Sequence, residues 1–339
     1  MVAENPLWGL PTGTPRSGLG EGDDDELFGE NLMKLDYSDI LVVLLTTYKR
    51  LDHVKQTIEA LKANTLANET VLYISSDGPG AGDEEAVCVV RDYLKTVDGF
   101  KSVELRFRDV NDRKGNWRLR RELLVKYGSL VFLEEDCIAS THFLQYMKDA
   151  LIRYESDSKI FAICGYRPPF SPINSTISGS LLIPRFNAWG FAFWRDRDAH
   201  VESHLELDAY RRFYEDRSMV KFARDEVGLD IIPKLRHVAK RGVWAYDILA
   251  NFQLMSRRMT CVYPAVSLVR NIGHDGTGEH CGQTGRFEVK LADSLPCVDL
   301  DPNSPKRFLK QHAIFRSGGW YAYLRLRFRL FRGKFSLKS

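Results

Sequence analysis

Asp39-Ile40-Leu41-Val42-Val43-Leu44-Leu45 is the stretch on which the fold reading turns. Alternation of apolar and polar residues would mark a strand with one wet face. An unbroken apolar run of this length marks a strand buried on both faces, as in a parallel sheet. Downstream, Thr46-Thr47-Tyr48-Lys49-Arg50 reads as a loop and residues 51–64 as a helix, because Val54, Ile58 and Leu61 recur at helical spacing while Lys55, Gln56 and Glu59 fall outside. The unit then repeats: a strand over 70–75, the turn Asp77-Gly78-Pro79-Gly80, a helix over 83–96, and a strand at Val103-Glu104-Leu105-Arg106-Phe107. Alternating strands and helices predict an α/β fold, a right-handed, mostly parallel sheet flanked by helices.

Further along, a helix is expected over 116–125, and Ser129-Leu130-Val131-Phe132-Leu133 gives another buried strand, ending on Glu134-Glu135-Asp136. Ligands of open α/β sheets sit beyond the carboxyl ends of the strands. Thr47 to Arg50, Asp77-Gly78 and the carboxylate run should therefore converge on one pocket. A helix over 143–154 and a strand over 160–165 follow, after which the pattern loosens around Pro168, Pro169 and Pro172, with helices near 202–215 and 247–255. The division is a flexible tail (1–36), a regular ligand-binding half (37–165), a less regular half of the same domain (166–300) and a basic-aromatic segment (301–339). In the tail, Gly18-Leu19-Gly20 has no strand before it and no helix after it, so it is not a phosphate loop.

Composition restricts the function classes. Of 339 residues, 44% are hydrophobic, enough for a sizeable core, and the net charge of +3 gives no case for nucleic acid as a partner. Six cysteines without a C-x-x-C pair indicate reduced core thiols rather than a zinc site or a disulfide scaffold. A signal-like start and an apolar run long enough to cross a bilayer are both absent, which points to the cytoplasm, with membrane association open, or to a secretory lumen if a targeting segment was trimmed.

Carboxylates at a strand end suit a hard divalent cation, Mn2+ or Mg2+, which neutralises charge on a departing diphosphate. If the strand persists, Glu134 and Asp136 share a face and Glu135 points oppositely, with Asp136 the better ligand. A solvated acidic strand end is the plain alternative.

Thr46-Thr47-Tyr48-Lys49-Arg50, Ser76-Asp77-Gly78 and Leu133-Glu134-Glu135-Asp136-Cys137 together resemble the nucleotide-binding half of GT-A (Rossmann-like) glycosyltransferases, with E-E-D in place of D-x-D. The later pieces Arg185-Phe186-Asn187-Ala188-Trp189-Gly190, Trp244-Ala245-Tyr246-Asp247 and Asn271-Ile272-Gly273-His274-Asp275-Gly276-Thr277-Gly278 resemble inverting members: bacterial family-2 enzymes and the N-acetylglucosaminyltransferase that initiates complex N-glycans. The resemblance implies a hexosyl- or N-acetylhexosaminyltransferase using a nucleotide-sugar donor, UDP by first choice, and a carbohydrate or glycoconjugate acceptor in glycan biosynthesis. It implies that Thr46, Thr47 and Tyr48 line the donor loop, that Arg50 and Asp77 meet the base, that Glu135 meets the ribose, and that Asp136 holds the metal, with Glu134 beside the donor.

Inverting transfer needs a base to deprotonate the acceptor hydroxyl. Asp247, opening a helix after an aromatic turn, takes that role by resemblance, with Asp196 and Asp198 in reserve; a helix N-cap is the competing reading. Trp189 and Gly190 would meet the donor sugar, unless they only pack in the core. His274 or His280 would touch metal or diphosphate, and Arg113, Lys114 and Arg118 would neutralise phosphate. Between Trp320 and Lys338, arginines interleave with Leu and Phe. That composition suits an anionic membrane surface or a packed terminal helix, while its Leu-Arg alternation fits a strand better. A dehydrogenase would need G-x-G-x-x-G after the first strand, and a sugar nucleotidyltransferase a glycine-rich loop there. A non-catalytic nucleotide- or carbohydrate-binding GT-A module is the remaining rival.

Overall fold

The computed structural model describes residues 40–112, 114–169, 179–278, 282–301 and 306–337. The tail with its glycines, Arg113, Pro172 and His280 lie outside the described residues. The first half contains β1 (Val42–Thr47), α1 (Leu51–Lys62), β2 (Val71–Ser76), α2 (Glu84–Leu94), β3 (Ser102–Phe107), α3 (Gly115–Tyr127) and β4 (Ser129–Glu134). Then come β5 (Cys137–Ala139), α4 (Phe143–Tyr154), β6 (Ile160–Cys164), β7 (Leu181–Ile183), β8 (Phe191–Trp194), α5 (Arg195–Asp198), α6 (Leu207–Glu215) and α7 (Arg217–Phe222). The chain finishes with α8 (Ile231–Arg241), α9 (Tyr246–Ser256), β9 (Thr260–Tyr263), β10 (Val269–Asn271), α10 (Lys306–Arg316) and α11 (Trp320–Phe331).

Eight strands form one sheet in the order β3-β2-β1-β4-β8-β6-β9-β7. Only β8 and β7 run against the others, so the expected mostly parallel α/β sheet is what forms. The chain winds outward from β1 through β2 to β3, then returns to place β4 on the other side of β1. That reversal opens a crevice at the carboxyl ends of β1 and β4, where Thr46 lies opposite Glu134. A separate two-stranded ribbon pairs β10 antiparallel to β5, with Asn271 opposite Cys137.

The continuous apolar run of β1 is buried on both faces as expected. Val42 and Leu44 join one hydrophobic cluster, with α3, α8, α9, Phe308 of α10 and Tyr323 of α11. Leu41, Val43 and Leu45 join the other, with α1, α2 and α4. Each fully buried Val, Leu or Ile contributes about 1.5–3 kcal/mol by leaving water. Both clusters draw residues from each side of position 165, so the halves share their cores. The described thiols are free: Cys137, Cys164 and Cys261 are buried, Cys88 and Cys297 exposed.

The C-terminal segment differs from the strand its alternation predicts. Residues Trp320–Phe331 form a helix, α11. The segment contains no β-branched residue, and Leu and Arg are strong helix formers. Coiling sends Tyr323 and Leu326, one turn apart, into the core and leaves Tyr321, Leu324, Phe328 and Phe331 exposed. The helix expected from 202 starts only at Leu207. Among the described residues, no helix is long and apolar enough to cross a membrane.

Candidate active site

The pleat does not persist through the carboxylate run: β4 ends at Glu134, and Glu135 and Asp136 turn before β5. Even so, ligand atoms of Glu134, Asp136 and Cys137 lie within 4.8 Å of one another. Glu135 is only 6% exposed and points into the loop after β1. Its Oε1 accepts from Arg50 Nε at 2.7 Å and its Oε2 from the Tyr48 backbone N–H at 2.6 Å. Arg50 Nη2 also donates to Asp136 Oδ2 at 2.6 Å, so one guanidinium bridges both carboxylates. Burial works against that charge, but the bonds to Glu135 and Asp136 outweigh it and hold Arg50 above its ordinary value.

The ribbon supplies the other side of Asp136. Asn271 Nδ2 donates to Asp136 Oδ1 at 3.1 Å, and Asn271 Oδ1 accepts the Gly273 N–H at 2.9 Å. A Cβ on Gly273 would stand 2.2 Å from Asp136 Oδ2, so the backbone approaches the carboxylate as closely as glycine alone permits. Neither Asn271 nor Gly273 announces this role in the sequence, because it depends on a three-residue pairing across 134 positions of chain, from Cys137 to Asn271.

Arg50 bonds two of the three carboxylates, and Glu134 is left beside them without a cation of its own. Burial, then the charges of Asp136 and Asp247, push its carboxyl up to about 8. A cluster with more carboxylate than bound cation fits a hard divalent ion, and Glu134 and Asp136 offer the oxygen ligands that Mn2+ or Mg2+ takes. Burial and the neighbouring carboxylates push the Cys137 thiol well above its usual value, and the oxygen ligands of Glu134 and Asp136 are the ones a hard cation prefers.

Asp247 lies in the first turn of α9. The N-cap is Ala245, so the capping alternative does not describe this residue. Its exposed carboxylate makes no hydrogen bond or ion pair among the described residues, while its charge is felt at Glu134. The turn that carries it is pinned from behind. Tyr246 donates its hydroxyl to Asp198 at 2.8 Å, and Arg120 sits 3.6 Å above the Tyr246 ring while bonding the same Asp198 at 2.9 Å. Asn251 Nδ2 holds the Asp247 carbonyl at 2.7 Å. Asp198 is thus a buried anchor, and Asp196 is exposed and bound to Arg197.

The remaining expected residues fall into two groups. Tyr48 joins the carboxylate run by its backbone and reaches Asp83 by its hydroxyl at 2.8 Å. Thr46 and Thr47 spend their hydroxyls on carbonyls of the neighbouring strands, Leu133 and Ser75. Asp77 Oδ1 accepts from the N–H groups of Gly78 and Asp112 and from Arg108 Nε at 2.9, 3.0 and 3.1 Å. Arg108, placed just after β3 and tied also to Asn116 at 2.6 Å, went unremarked in the sequence. Lys114 and Arg118 lie exposed at the start of α3, where Arg118 pairs with Asp112.

Trp189 stacks edge-on with Tyr166, His274 and Phe287 at 4.7, 5.1 and 5.4 Å. Gly190 has φ +63, and the close approach it permits is to Val269, whose Cγ2 is 2.6 Å from where a Cβ would be. That approach is packing against β10. His274 has both ring nitrogens buried without a hydrogen-bond partner among the described residues, and burial holds its pKa down.

No family model and no curated protein matches this chain. Among solved structures, S. aureus TarS matches at 11% identity and a TM-score of 0.33 over 48% of this chain and 30% of that one. Its 1-349 form gives the same identity and score over 49% of its length. A mannosyltransferase from Pyrobaculum calidifontis, PcManGT, in complex with GDP-Man and Mn2+, matches at 13% identity and a TM-score of 0.35, over 86% of this chain and 64% of that one. The chain thus spans less than two thirds of each of these proteins. Scores this low carry no argument about function, and the fold class rests on the strand order itself.

Proposed function

We propose that this chain is an inverting glycosyltransferase that moves a sugar from a nucleotide donor, UDP-linked by first choice, to a hydroxyl of a carbohydrate or glycoconjugate acceptor. One observation carries the reading: Glu134 and Asp136 converge at the β1–β4 switch point, and Asp247 sits on a pinned turn near enough for its charge to reach Glu134, with its carboxylate unspent. The loops after β1 and β2 would hold the nucleoside through Tyr48, Arg50 and Asp77. Glu134 and Asp136 would hold Mn2+ or Mg2+, which when bound neutralises charge on the diphosphate. The Asp247 carboxylate takes the proton of the acceptor hydroxyl. The acceptor oxygen bonds to the anomeric carbon from the face opposite the leaving group, and the sugar–phosphate C–O bond breaks, its electron pair leaving with the nucleoside diphosphate.

The test is a thermal-shift series with UDP-sugars, GDP-mannose and free UDP, each with and without Mn2+, on the whole chain and on Asp136→Asn. A ligand at 100 times its Kd adds about 2.7 kcal/mol to folded-state stability. A metal-dependent shift that Asp136→Asn abolishes is expected; absence of any metal-dependent shift across the panel discards the reading.

A specific observation also favours peripheral membrane contact. Along α11 the exposed stripe Tyr321, Leu324, Phe328 and Phe331, with Tyr321 81% and Phe331 88% exposed, is flanked by Arg325, Arg327, Arg329 and Arg332. Apolar anchors bordered by arginine complement an anionic lipid surface.

A further inference from the structure

Beyond Trp189, away from the carboxylate run, the interior carries the opposite surplus. Arg185, 1% exposed in the β7–β8 connection, donates through Nη1 and Nη2 to Asp230 at 3.2 and 2.9 Å. Lys234, one turn along α8, donates to the same carboxylate at 3.0 Å. Arg316 ends α10 against Gly228, where an added Cβ would lie 2.7 Å both from Arg316 Cβ and from Asp230 Oδ1. Arg286 reaches in from the segment after β10, donating to the Phe315 carbonyl and lying over the rings of Phe287 and Phe315 at 5.1 and 4.9 Å.

Among the described residues, no carboxylate lies within ion-pairing distance of Arg286 or Arg316, and Nε of both Arg185 and Arg316 is buried without a hydrogen-bond partner. Burial holds both Arg286 and Arg316 below the ordinary guanidinium value, at Arg316 the nearby charge of Arg185 adds to it, and at both the charge of Asp230, beyond ion-pairing distance, offsets only part of it. Desolvated guanidinium groups without carboxylates are costly, and a fold keeps them where an anion completes them. Guanidinium forks match phosphoryl and carboxylate oxygens in particular.

The place of this cluster says whose anion it is. Tyr166, whose phenol feels Arg316 and Arg286, packs on Trp189, and so does Phe287, over which Arg286 lies. On the other wall, the diphosphate of a donor would already be matched by the cation at Glu134 and Asp136. Asp247 borders the arginine side too, since its charge is felt at Lys234.

We propose that Arg185, Arg286 and Arg316 seat an anionic group, a phosphoryl or carboxylate, carried by the acceptor near its reacting hydroxyl. Only the assignment to the acceptor rests on the glycosyltransferase reading; the anion site itself does not. The test titrates the full chain at low ionic strength with inorganic phosphate and, separately, with UDP plus Mn2+. Saturable phosphate binding is expected, weakened at least tenfold in Arg316→Gln and in Arg286→Gln, and unaffected by saturating UDP–Mn2+. UDP–Mn2+ affinity should stay within twofold in both variants, and Arg316→Lys should recover part of the phosphate affinity. Arg286→Gln alters a partly exposed segment and keeps the test decisive if Arg316→Gln does not fold. Equal phosphate affinity in wild type and Arg286→Gln overturns the site. Competition between phosphate and UDP, with both affinities falling together in Arg286→Gln, gives the arginines to the donor diphosphate and overturns the acceptor assignment. Loss of UDP binding in wild type, with phosphate binding intact, removes the transferase reading and leaves the anion site standing.

Discussion

The two walls beside Trp189 are electrostatic opposites. On the β4 wall, Glu135 and Asp136 share Arg50 with Glu134 beside them; on the α8–α10 wall, Arg185 and Arg316 lie beside Asp230, whose charge also reaches Arg286. Each wall shifts the titratable group beside it toward its neutral form: Glu134 by burial and neighbouring carboxylates, His312 by burial and neighbouring arginines. A core selected for stability alone would pair these charges with each other. On the readings proposed above, each surplus is half of a contact whose other half would arrive with a ligand, a cation on one side and an anion on the other.

The sharpest way to break the comparison is at the group between the walls. Asp247→Asn should lower transfer about 10²- to 10⁴-fold, the usual weight of a general base, while metal-dependent UDP binding stays unchanged. Release of nucleoside diphosphate reads the first quantity and thermal shift the second; near-normal turnover would take Asp247 out of the mechanism.

Next comes the carboxylate wall itself. Gly273→Ala forces a methyl group against Asp136 and should cost about 1–3 kcal/mol of stability, the usual weight of overpacking, and weaken Mn2+ binding. Gly282→Ala, with nothing within 4 Å of the new methyl, serves as the control and should behave as wild type in denaturant titration.

The arginine wall reports on itself through His312. Burial first, then Arg316 and Arg185, hold this imidazole down at about 3. Its ordinary value is about 6.5, so between those limits the unfolded chain binds a proton that the folded chain refuses. Stability should therefore fall as pH drops through that window, by at most about 1.4 kcal/mol per unit, and the slope should flatten in His312→Phe. An unchanged slope in that variant would show that other groups set it.

The smallest folding effect is expected furthest from both walls. Tyr321→Ser with Phe331→Ser should leave unfolding within about 0.5 kcal/mol of wild type, since both side chains are exposed. Sedimentation with phosphatidylserine vesicles should fall; equal sedimentation would remove α11 from any membrane contact.

Five of the eight sheet strands, β1 to β4 and β6, were legible, most of them because they are apolar runs between helices of clean period; β7, β8 and β9, short strands in the irregular half, were not. Residues 143–154 form a helix with the bounds that spacing alone suggests. The carboxylate run and Asp247 could be found because each ends or begins such an element. The contacts of Asn271 and Gly273 with Asp136, and Arg108 altogether, could not, because they arise from pairing of segments far apart in the chain. The arginine wall was hidden for the same reason: its members come from four segments of irregular spacing, and nothing in the total charge of +3 betrays a local surplus. In α11 the period misled, since leucine and arginine alternate there without any β-branched residue to favour extension.

The β5–β10 ribbon also sets a clock. On the ribosome, β1 to β4 and the carboxylate run emerge first, yet Asp136 has no Asn271 to orient it until the chain has grown through β10. At about 5–20 residues per second, that interval lasts on the order of ten seconds. Each newborn molecule thus passes through a period in which the acidic residues are present and their partner strand is not.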